Sequence, residues 1–406
     1  MGEVILPDAP WRHREGLDTL IAALGKGHAR FVGGAVRDTL LGLEVSDIDV
    51  ATDHPPEAAM KRLSAAGITV VPTGIKHGTI TAVLPDGPIE VTTLRRDVET
   101  HGRHATVAFT DSWQEDASRR DFTINALYAD PLTGAVVDPF GGLDDLAARR
   151  VRFIGDPIAR IAEDHLRILR FFRFHARFGG GEMFAAALHA CTARANDLMA
   201  LSRERIADEM TKLLPAPRAP EVLAVMVERG ILRAVLPEIG VEGVARLETV
   251  AAREALHGIA PEADRRLAAL LPEDAAVADD VAARLRVSKA RRKRLVAAVG
   301  ALDPVLPPRA QAYRIGVQAL TDRALRSASD EMLSAILAGL NAWTPPRLPL
   351  GGGELVKLGV AAGPAVAHLM KQIEDRWVAE DFPDSARVHE IGREAADHWL
   401  RAHSAA

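Results

Sequence analysis

Two glycines and two aspartates stand close together in the stretch "FVGGAVRDTLLGLEVSDIDVAT", which begins at Phe31. If the end of this stretch is a strand, Asp47 and Asp49 project from one face, because successive strand residues point to opposite sides. Two neighbouring carboxylates repel each other, and divalent cations relieve that repulsion. We therefore predict that Asp47 and Asp49 hold two Mg²⁺ ions.

The glycines precede a helical pattern, so the same stretch also offers an anion site. Gly33 and Gly34 let backbone N–H groups approach a phosphate at the start of the helix, and Arg37 lies in the first turn. A glycine pair alone is more often a tight strand-to-helix turn, and an isolated D-x-D is more often a solvated turn. Their combination favours a phosphate site beside a metal site.

These residues resemble the signature of the nucleotidyltransferase superfamily, in the branch that holds class II tRNA CCA-adding enzymes and bacterial poly(A) polymerases. The resemblance implies that Gly34 and Arg37 bind the triphosphate, and that Asp47 and Asp49 hold the metals. It also implies a third carboxylate on a later strand, for which Glu90 in "IEVTTLR" is the candidate. The alternative for Glu90 is a solvated position on an edge strand.

The run "RRDFTINAL", from Arg119 to Leu127, has a helical pattern and resembles the family motif that recognises ribose and phosphate. An arginine pairs with a phosphate, while Asp and Asn side chains hydrogen bond to sugar hydroxyls. The resemblance assigns these roles to Arg120, Asp121 and Asn125. A structural ion pair is the alternative for Arg119.

The stretch "RIAEDHLRILRFFRF" is typical of a helix, on which Asp164 and Arg167 would share one face. Cytosine and adenine present an amino donor beside a ring-nitrogen acceptor, whereas guanine and uracil present the reverse order. An Asp–Arg pair therefore selects C and A without a nucleic-acid template, at roughly 1 to 3 kcal/mol per mismatched buried polar group. "EDHLR" resembles the family's templating motif, and Arg170 and Arg173 resemble further nucleotide contacts. A solvated salt bridge is the alternative for the pair.

Between these motifs, "RRDVETHGRHATVAFTDSW" resembles a flexible loop that helps family members change from C to A selection. Gly102 and Arg103 fit the pattern of that loop, but the usual Tyr before them and Pro after them are missing. The presence of this segment favours the addition of C, C and A over the addition of the two cytidines alone.

The elements that must position these residues change along the chain. Five short β-rich segments between residues 29 and 97 predict a small mixed sheet with helices packed on it, and after Asp156 almost every segment is typical of helix. We predict an α+β fold, and the resemblance implies a polymerase β-like head. The predicted parts are a nucleotidyltransferase head (1–150), an all-α neck with the nucleotide-selecting helix (151–215), a tRNA-binding body (216–345) and a tRNA-binding tail (346–406).

The formal net charge of the chain is -5, which argues against a nucleic-acid-binding protein with positive charge over its whole surface. Local basic patches remain compatible with that value. The clearest one is "SKARRKRL" in the predicted body, which suits RNA phosphates or is merely a solvated helix face. The candidate RNA-binding residues of this basic cluster are Lys289, Arg291, Arg292, Lys293 and Arg294.

The cysteine and histidine content limits the other metal chemistry. A single cysteine, Cys191, rules out a thiolate zinc cluster and favours a reducing compartment. Because neither a secretory signal nor a membrane-spanning run is evident, we predict a cytoplasmic protein. The fourteen histidines are scattered and predict no ligand set. An additional His-Asp phosphohydrolase activity is therefore not predicted.

The resemblance implies template-independent addition of C, C and A to the 3′ end of tRNA, with CTP, ATP and Mg²⁺, and without an obligate protein partner. A poly(A) polymerase is the first alternative, because it shares the head motifs. A non-catalytic RNA-binding protein on the same scaffold is the second. The intact aspartate pair favours an enzyme, because unused paired carboxylates would only cost electrostatic energy.

Overall fold

A mixed β-sheet forms the N-terminal part of the chain. The computed structural model describes residues 4–101 and 104–403. Within these residues the strands are β1 (Ala29–Val32), β2 (Asp49–Thr52), β3 (Thr69–Gly74), β4 (Thr79–Leu84), β5 (Gly87–Thr93), β6 (Arg95–His101), β7 (His104–Phe109), β8 (Tyr128–Ala129) and β9 (Val136–Val137).

Seven of these strands make one sheet in the order β3-β4-β5-β2-β1-β8-β9, while β6 and β7 pair separately. Strands β2 and β5 are parallel, and the other neighbours in the sheet are antiparallel. Burial alternates along β4, where Ile80 and Ala82 are buried and Val83 is exposed, as expected of a sheet with one packed face. The five predicted strand segments correspond to β1 to β5.

Helices surround the sheet and then make up the rest of the chain. In the described residues they are α1 (Leu17–Leu24), α2 (Gly34–Leu40), α3 (Pro56–Ala65), α4 (Trp113–Ser118), α5 (Gly142–Ala147), α6 (Pro157–Glu163), α7 (Arg167–Phe178), α8 (Ala185–Ala193), α9 (Arg203–Leu213), α10 (Ala219–Glu228), α11 (Val241–Leu256), α12 (Ala263–Leu270), α13 (Ala275–Arg284), α14 (Lys289–Val299), α15 (Pro308–Ile315), α16 (Val317–Ser327), α17 (Asp330–Leu340), α18 (Gly352–Lys357), α19 (Pro364–Ala379) and α20 (Ser385–His403).

The chain divides into two compact units, Met1–Val241 and Glu242–Ala406. The first unit contains the sheet, and its aromatic core includes Phe122 and Phe153, whose ring centroids are 4.9 Å apart. The second unit is helical, and its buried residues include Trp377. The predicted mixed-sheet head followed by helices is therefore confirmed, whereas the division into head, neck, body and tail stays a prediction.

Helix α7 has one apolar side and one basic side. Ile168, Leu169 and Phe172 on the apolar side are buried in the first unit. Arginines recur at every third position, so that Arg167 and Arg170 lie on the other side, where they line a cleft. The helix is thus held by its apolar side and presents guanidinium groups from the opposite one.

Three local predictions of secondary structure are wrong. "RIAEDHLRILRFFRF" is two helices, because the backbone of Asp164 is extended and its Oδ1 accepts the N–H of Leu166. "RRDFTINAL" follows α4 as a turn, in which Asp121 Oδ1 accepts the N–H of Phe122 before a short 3₁₀ helix. In both places an aspartate side chain bonds to nearby backbone and competes with helix formation. The predicted loop before α4 forms strands β6 and β7 instead.

Candidate active site

A cleft of about 540 Å³ in the first unit collects most of the predicted site residues. It lies where β1 and β2 meet the segment after α4 and the N-terminal half of α7. Seven arginines and three aspartates contribute to its wall, so the cleft is strongly positive. The lining residues are Gly33, Gly34, Arg37, Asp49, Arg95, Arg119, Arg120, Asp121, Asn125, Asp164, Leu166, Arg167, Arg170, Phe174 and Arg205.

Of the three carboxylates predicted for the metal site, Asp49 lines the cleft, whereas Asp47 and Glu90 are exposed and are absent from its lining. Asp49 begins β2 and Glu90 lies in β5, and the parallel register pairs these two residues directly. Glu90 alternates with the buried Ile89 and Val91, so the register that its predicted role requires is present. Paired residues of parallel strands point to the same face of the sheet.

The charge of Asp49 is poorly compensated. Burial is the main cause of a raised pKa of its carboxyl, and the negative charge of Glu90 raises the pKa further. Arg120 opposes this shift, while Asp47 adds to it. Asp47 itself precedes β2 and is exposed, and its carboxylate accepts a hydrogen bond from Ser46 Oγ. This cluster of carboxylates favours the binding of a cation.

The glycine turn leads directly from β1 into α2. Gly33 has a φ of 68°, and a Cβ added there would lie 3.4 Å from Arg120 Nη1, so the turn depends on glycine. Gly34 starts the helix and lines the cleft, as predicted for a phosphate site.

Arg37 is almost fully buried and is held by neighbouring side chains. Its Nε donates to Asp38 at 2.7 Å, its Nη1 donates to Asn125, and its guanidinium lies 4.1 Å from the ring centre of Phe178. Burial lowers the pKa of Arg37, although Asp38 opposes that shift. Its predicted triphosphate contact is therefore compatible with its place in the cleft wall, where its orientation is fixed before any ligand binds.

Asp116 organises the arginines that follow α4. Its two oxygens accept from Arg119 Nη2 at 2.7 Å and from Arg120 Nη2 at 3.1 Å, and the Tyr128 hydroxyl donates to it at 2.7 Å. Burial alone would raise the pKa of Asp116, but the two arginines and Tyr128 lower it to about 2. Arg119 thus forms the structural ion pair that was the alternative prediction for this residue. It also lines the cleft.

Asp121 and Asn125 are joined to helix α7. Asn125 Nδ2 donates to Asp121 Oδ1 at 2.9 Å, and Arg170 Nε donates to Asp121 Oδ2 at 2.8 Å. Burial opposes ionisation of Asp121, but the charge of Arg170 and these hydrogen bonds lower its pKa to about 2. One turn further along α7, Arg173 Nε donates to Glu209 at 2.6 Å. Arg173 is absent from the residues that line the cleft.

Asp164 and Arg167 both line the cleft, but each binds a different partner. Asp164 Oδ2 accepts from Arg205 Nη2 at 2.7 Å. Arg167 donates to Glu163 and to the carbonyl oxygen of Arg160, the latter at 2.7 Å. Both side chains line the cleft from the break between α6 and α7, and not from a shared helix face as the sequence predicted.

Arg205 lines the cleft although its sequence pattern did not predict a functional role. The stretch "SRERIADEMTKLL" resembles a family motif that we expect to be scaffold for the templating helix. Arg205 lies in α9, 41 positions away from Asp164 in the sequence, and no local pattern signals their contact. Arg95, Leu166 and Phe174 also line the cleft and were not predicted as site residues either.

Gly102 and Arg103 are outside the described residues. His28, Asp53 and His54 come together at the end of β1 and β2 that is opposite to the cleft, although the sequence predicted no histidine ligand set.

The basic cluster lies on α14 in the second unit. Its arginines are paired with carboxylates, as in the contact of Arg291 with Asp264 at 2.6 Å and of Arg292 with Asp279 at 2.5 Å. Arg294 binds Asp322 at 2.8 Å and also contacts Glu262. The lysines of the cluster, Lys289 and Lys293, are exposed. The predicted contact of α14 with RNA stays a prediction.

No helix in the part of the chain that the structure describes is long and apolar enough to cross a membrane.

Comparison with known proteins assigns the family. Residues 29–152 match the model of the poly A polymerase head domain, and residues 185–241 match that of a probable RNA and SrmB-binding site of polymerase A. The chain is 35% identical to the mitochondrial CCA tRNA nucleotidyltransferase 1 of Mus musculus over 382 residues, which cover 89% of this chain and 86% of that protein.

Bacterial CCA-adding enzymes are also similar. The one from Geobacillus thermodenitrificans is 41% identical over 220 residues, 53% of this chain and 52% of that protein. The crystal structure of the Bacillus stearothermophilus CCA-adding enzyme in complex with CTP has a TM-score of 0.73 and 28% identity, and the match covers 93% of this chain and 97% of that one. The protein therefore belongs to the CCA tRNA nucleotidyltransferase family.

Proposed function

We propose that this protein adds C, C and A to the 3′ end of tRNA, with CTP and ATP as nucleotide donors. The observation that carries the proposal is that one positive cleft is lined by Asp49 at one side and by Asp164 and Arg167 at another. The first position suits the reacting phosphate, and the second suits the edge of a base. The names of the mouse and bacterial relatives support the same reaction.

The carboxylates on and before β2 and on β5 fit divalent cations. Asp49 has a raised pKa because of its burial and the neighbouring Glu90, and Asp47 adds further negative charge. Carboxylate oxygens are the ligands that Mg²⁺ prefers. We propose that Asp47 and Asp49 hold two Mg²⁺ ions, with Glu90 as the third carboxylate. A bound pair of Mg²⁺ ions supplies activation of the 3′ hydroxyl and charge stabilisation at the α-phosphate and pyrophosphate.

The arginines of the cleft fit the triphosphate and the ribose. We assign Gly34, Arg37 and Arg120 to the phosphates, because guanidinium groups pair well with phosphate oxygens. Asp121 and Asn125 are assigned to the sugar hydroxyls. Arg170 holds Asp121 ionised, so this carboxylate is a hydrogen-bond acceptor over the whole physiological pH range.

Asp164 and Arg167 are assigned to base selection. The carboxylate of Asp164 accepts from Leu166 N and Arg205 Nη2, which leaves acceptor capacity for the amino group of C or A. The described contacts of Arg167 use three of its N–H groups, so two of the five can donate to a base. G and U would place a carbonyl oxygen against the Asp164 carboxylate. The protein thus rejects them without a template.

We also propose which residues bind tRNA and where in the cell the protein is located. Lys289 and Lys293 on α14 are the exposed cations that we assign to tRNA phosphates. Cytoplasmic location is proposed from the single cysteine, Cys191, which is buried and free.

The experiment is extension of a tRNA transcript that ends at the discriminator base. The transcript is incubated with Mg²⁺ and CTP, ATP, GTP or UTP singly, and then with CTP plus ATP. We expect two C residues with CTP alone, C-C-A with both donors, and arrest after A. Long A tails on any RNA end would assign the protein to poly(A) polymerases instead. No addition at all would support an RNA-binding scaffold and refute the proposal.

A further inference from the structure

A second group of potential metal ligands lies at the end of the sheet opposite to the cleft. His28 immediately precedes β1, while Asp53 and His54 immediately follow β2, and β1 and β2 run antiparallel. One ligand atom from each of the three residues lies within 4.8 Å of the other two. Asp53 is four positions after Asp49 in the sequence, which is about 13 Å along a strand. The group is therefore separate from the catalytic carboxylates.

The contacts of His54 determine which of its ring nitrogens can bind a metal. His54 Nε2 lies 2.8 Å from the carbonyl oxygen of Leu24, the last residue of α1. A carbonyl oxygen only accepts, so Nε2 carries the proton and Nδ1 of the neutral ring has a lone pair. A metal-binding histidine almost always has this arrangement, with its second nitrogen donating to a backbone carbonyl or a carboxylate.

The lone pair of His54 faces a carboxylate that it does not hydrogen bond to. His54 Nδ1 is 3.8 Å from Asp53 Oδ1, whereas His28 Nδ1 is 2.9 Å from Asp53 Oδ2. The two imidazole rings are stacked with centroids 4.8 Å apart. Each ring has its Nδ1 near the carboxylate of Asp53. A neutral imidazole nitrogen and a carboxylate oxygen repel each other unless a proton or a metal ion lies between them.

Buried threonines hold the backbone of this group in place. Thr52 Oγ1 donates to the carbonyl oxygen of His28 at 2.6 Å, and Thr93 Oγ1 donates to that of His54 at 2.8 Å. Thr52 and Thr93 are 0% and 1% exposed. The ligand side chains are therefore attached to a rigid sheet end, and binding would require little reorganisation.

We propose that His28, Asp53 and His54 bind one transition-metal ion of the Zn²⁺ type, which links the end of α1 to β1 and β2. Two imidazole nitrogens and one carboxylate are a donor set that Zn²⁺ accepts, with water as the fourth ligand. At ordinary Zn–N and Zn–O lengths, tetrahedral ligand atoms are about 3.4 Å apart. Asp53 Oδ1 lies 3.0 Å from His28 Nδ1 and 3.8 Å from His54 Nδ1, on either side of this value.

The site stabilises the fold and does not depend on the proposed reaction. The test is titration of Zn²⁺ into the full-length protein after treatment with EDTA, followed by calorimetry and thermal unfolding. The parent protein for the titration carries Asp47→Asn and Asp49→Asn, which removes Zn²⁺ binding to the predicted Mg²⁺ ligands. Variants His54→Gln and His28→Gln are made in this parent.

A matched control is His13→Gln. His13 Nε2 contacts Asp8 at 2.7 Å, so it is also a histidine–aspartate pair, but it is not in the group of three ligands. We expect the parent and the His13→Gln control to bind one equivalent and to unfold at a higher temperature with Zn²⁺. His54→Gln and His28→Gln should bind at least about tenfold more weakly and lose the thermal shift.

Two results would overturn the proposal. One is Zn²⁺ binding that stays unchanged in both His54→Gln and His28→Gln. The other is a parent protein that takes up no Zn²⁺, which would mean that a proton on His54 Nδ1 occupies the contact. His28 is half exposed, with 50% of its side-chain surface accessible, so its substitution leaves the packing of the sheet intact and any loss of binding can be assigned to the ligand.

Discussion

The carboxylates on two sides of Arg120 differ in the charges that surround them. At the end of β2, Asp49 lies beside Glu90, and its pKa is raised by burial and by that neighbour. On α4, Asp116 binds Arg119 and Arg120, and its pKa is lowered to about 2. Both are aspartates of one folded unit, so residue type does not distinguish them.

The difference indicates which carboxylate is available for a ligand. A buried carboxylate whose charge is matched by arginines is already stable and positions those arginines. A carboxylate that faces another carboxylate is stabilised by a bound cation, and this is what a two-metal site supplies. We therefore assign a structural role to Asp116 and a cation-binding role to Asp49.

Asp49→Asn should produce the largest effect on catalysis. Loss of this charge removes a ligand from a site that supplies several kcal/mol of transition-state stabilisation, so kcat for C addition should fall by about 10³-fold or more. Single-turnover extension of tRNA measures the effect, with tRNA binding as the control that should change little. A variant that keeps a substantial part of the turnover would refute the assignment of Asp49 to the metals.

Asp116→Asn should affect stability before it affects chemistry. The substitution leaves Arg119 and Arg120 without their partner, and breaking a buried ion pair costs about 3 to 5 kcal/mol. Urea unfolding measures the change in the free energy of unfolding. Asp279→Asn is the matched control, because Asp279 pairs with Arg292 at an exposed position and its removal should leave the midpoint unchanged.

The pH dependence of stability should reveal the ion pairs of Asp116. The pKa of Asp116 falls from 3.8 to about 2 on folding, so its contribution is fully present above pH 4 and is lost as the pH falls towards 2. This amounts to about 2 kcal/mol, which the Asp116→Asn variant should lack. Acid unfolding followed from pH 5 to pH 2 tests this, and an unchanged slope in the variant would contradict the ion-pair assignment.

Asp164→Ala should reduce nucleotide selection while the fold persists. Loss of one buried acceptor costs roughly 1 to 3 kcal/mol, so discrimination of C over U should fall by about 5- to 150-fold. Competition between CTP and UTP in tRNA extension measures the ratio, and an unchanged ratio would refute the role of Asp164. Arg205→Gln is informative beside it, because this variant keeps Asp164 but removes its partner.

Substitutions in the basic cluster of α14 should have the smallest effect, which is a change in the salt dependence of tRNA binding. Lys293→Ala should reduce the slope of log affinity for tRNA against log salt concentration by about one. Arg292→Ala should change it less, because Asp279 already pairs with Arg292. Equal changes in both variants would mean that pairing within the protein does not determine which cations reach RNA.

The sequence predicted the strands better than the helix boundaries. Alternation of apolar residues and turn residues is a local signal, so strands β1 to β5 were predicted correctly. The break at Asp164 depends on one side chain that bonds to the N–H of Leu166, and the helical pattern of the surrounding residues hides it. The contacts of Arg170 with Asp121 and of Arg205 with Asp164 join distant segments, which periodicity cannot reveal.

Most of the motif residues line one cleft, because each lies in a short, recognisable sequence pattern, and their functional roles stay predictions. Glu90 depended on the register of β5 against β2, which the structure supplies. By contrast, the histidine group at the opposite end of the sheet was missed, because His28 and His54 come from separate segments. Composition alone also did not show that the arginines of α14 are largely paired with carboxylates.

The central claim is that Asp49 and Glu90 repel each other and that a bound cation relieves this repulsion. It is tested most directly by the stability of Asp49→Asn at neutral pH. Because the pKa of Asp49 is raised, ionisation costs stability as the pH rises above 3.8. We predict that in EDTA the variant unfolds at a higher temperature than the wild type, and that Mg²⁺ stabilises only the wild type. A variant that is less stable in EDTA, or gains as much from Mg²⁺, would contradict the account.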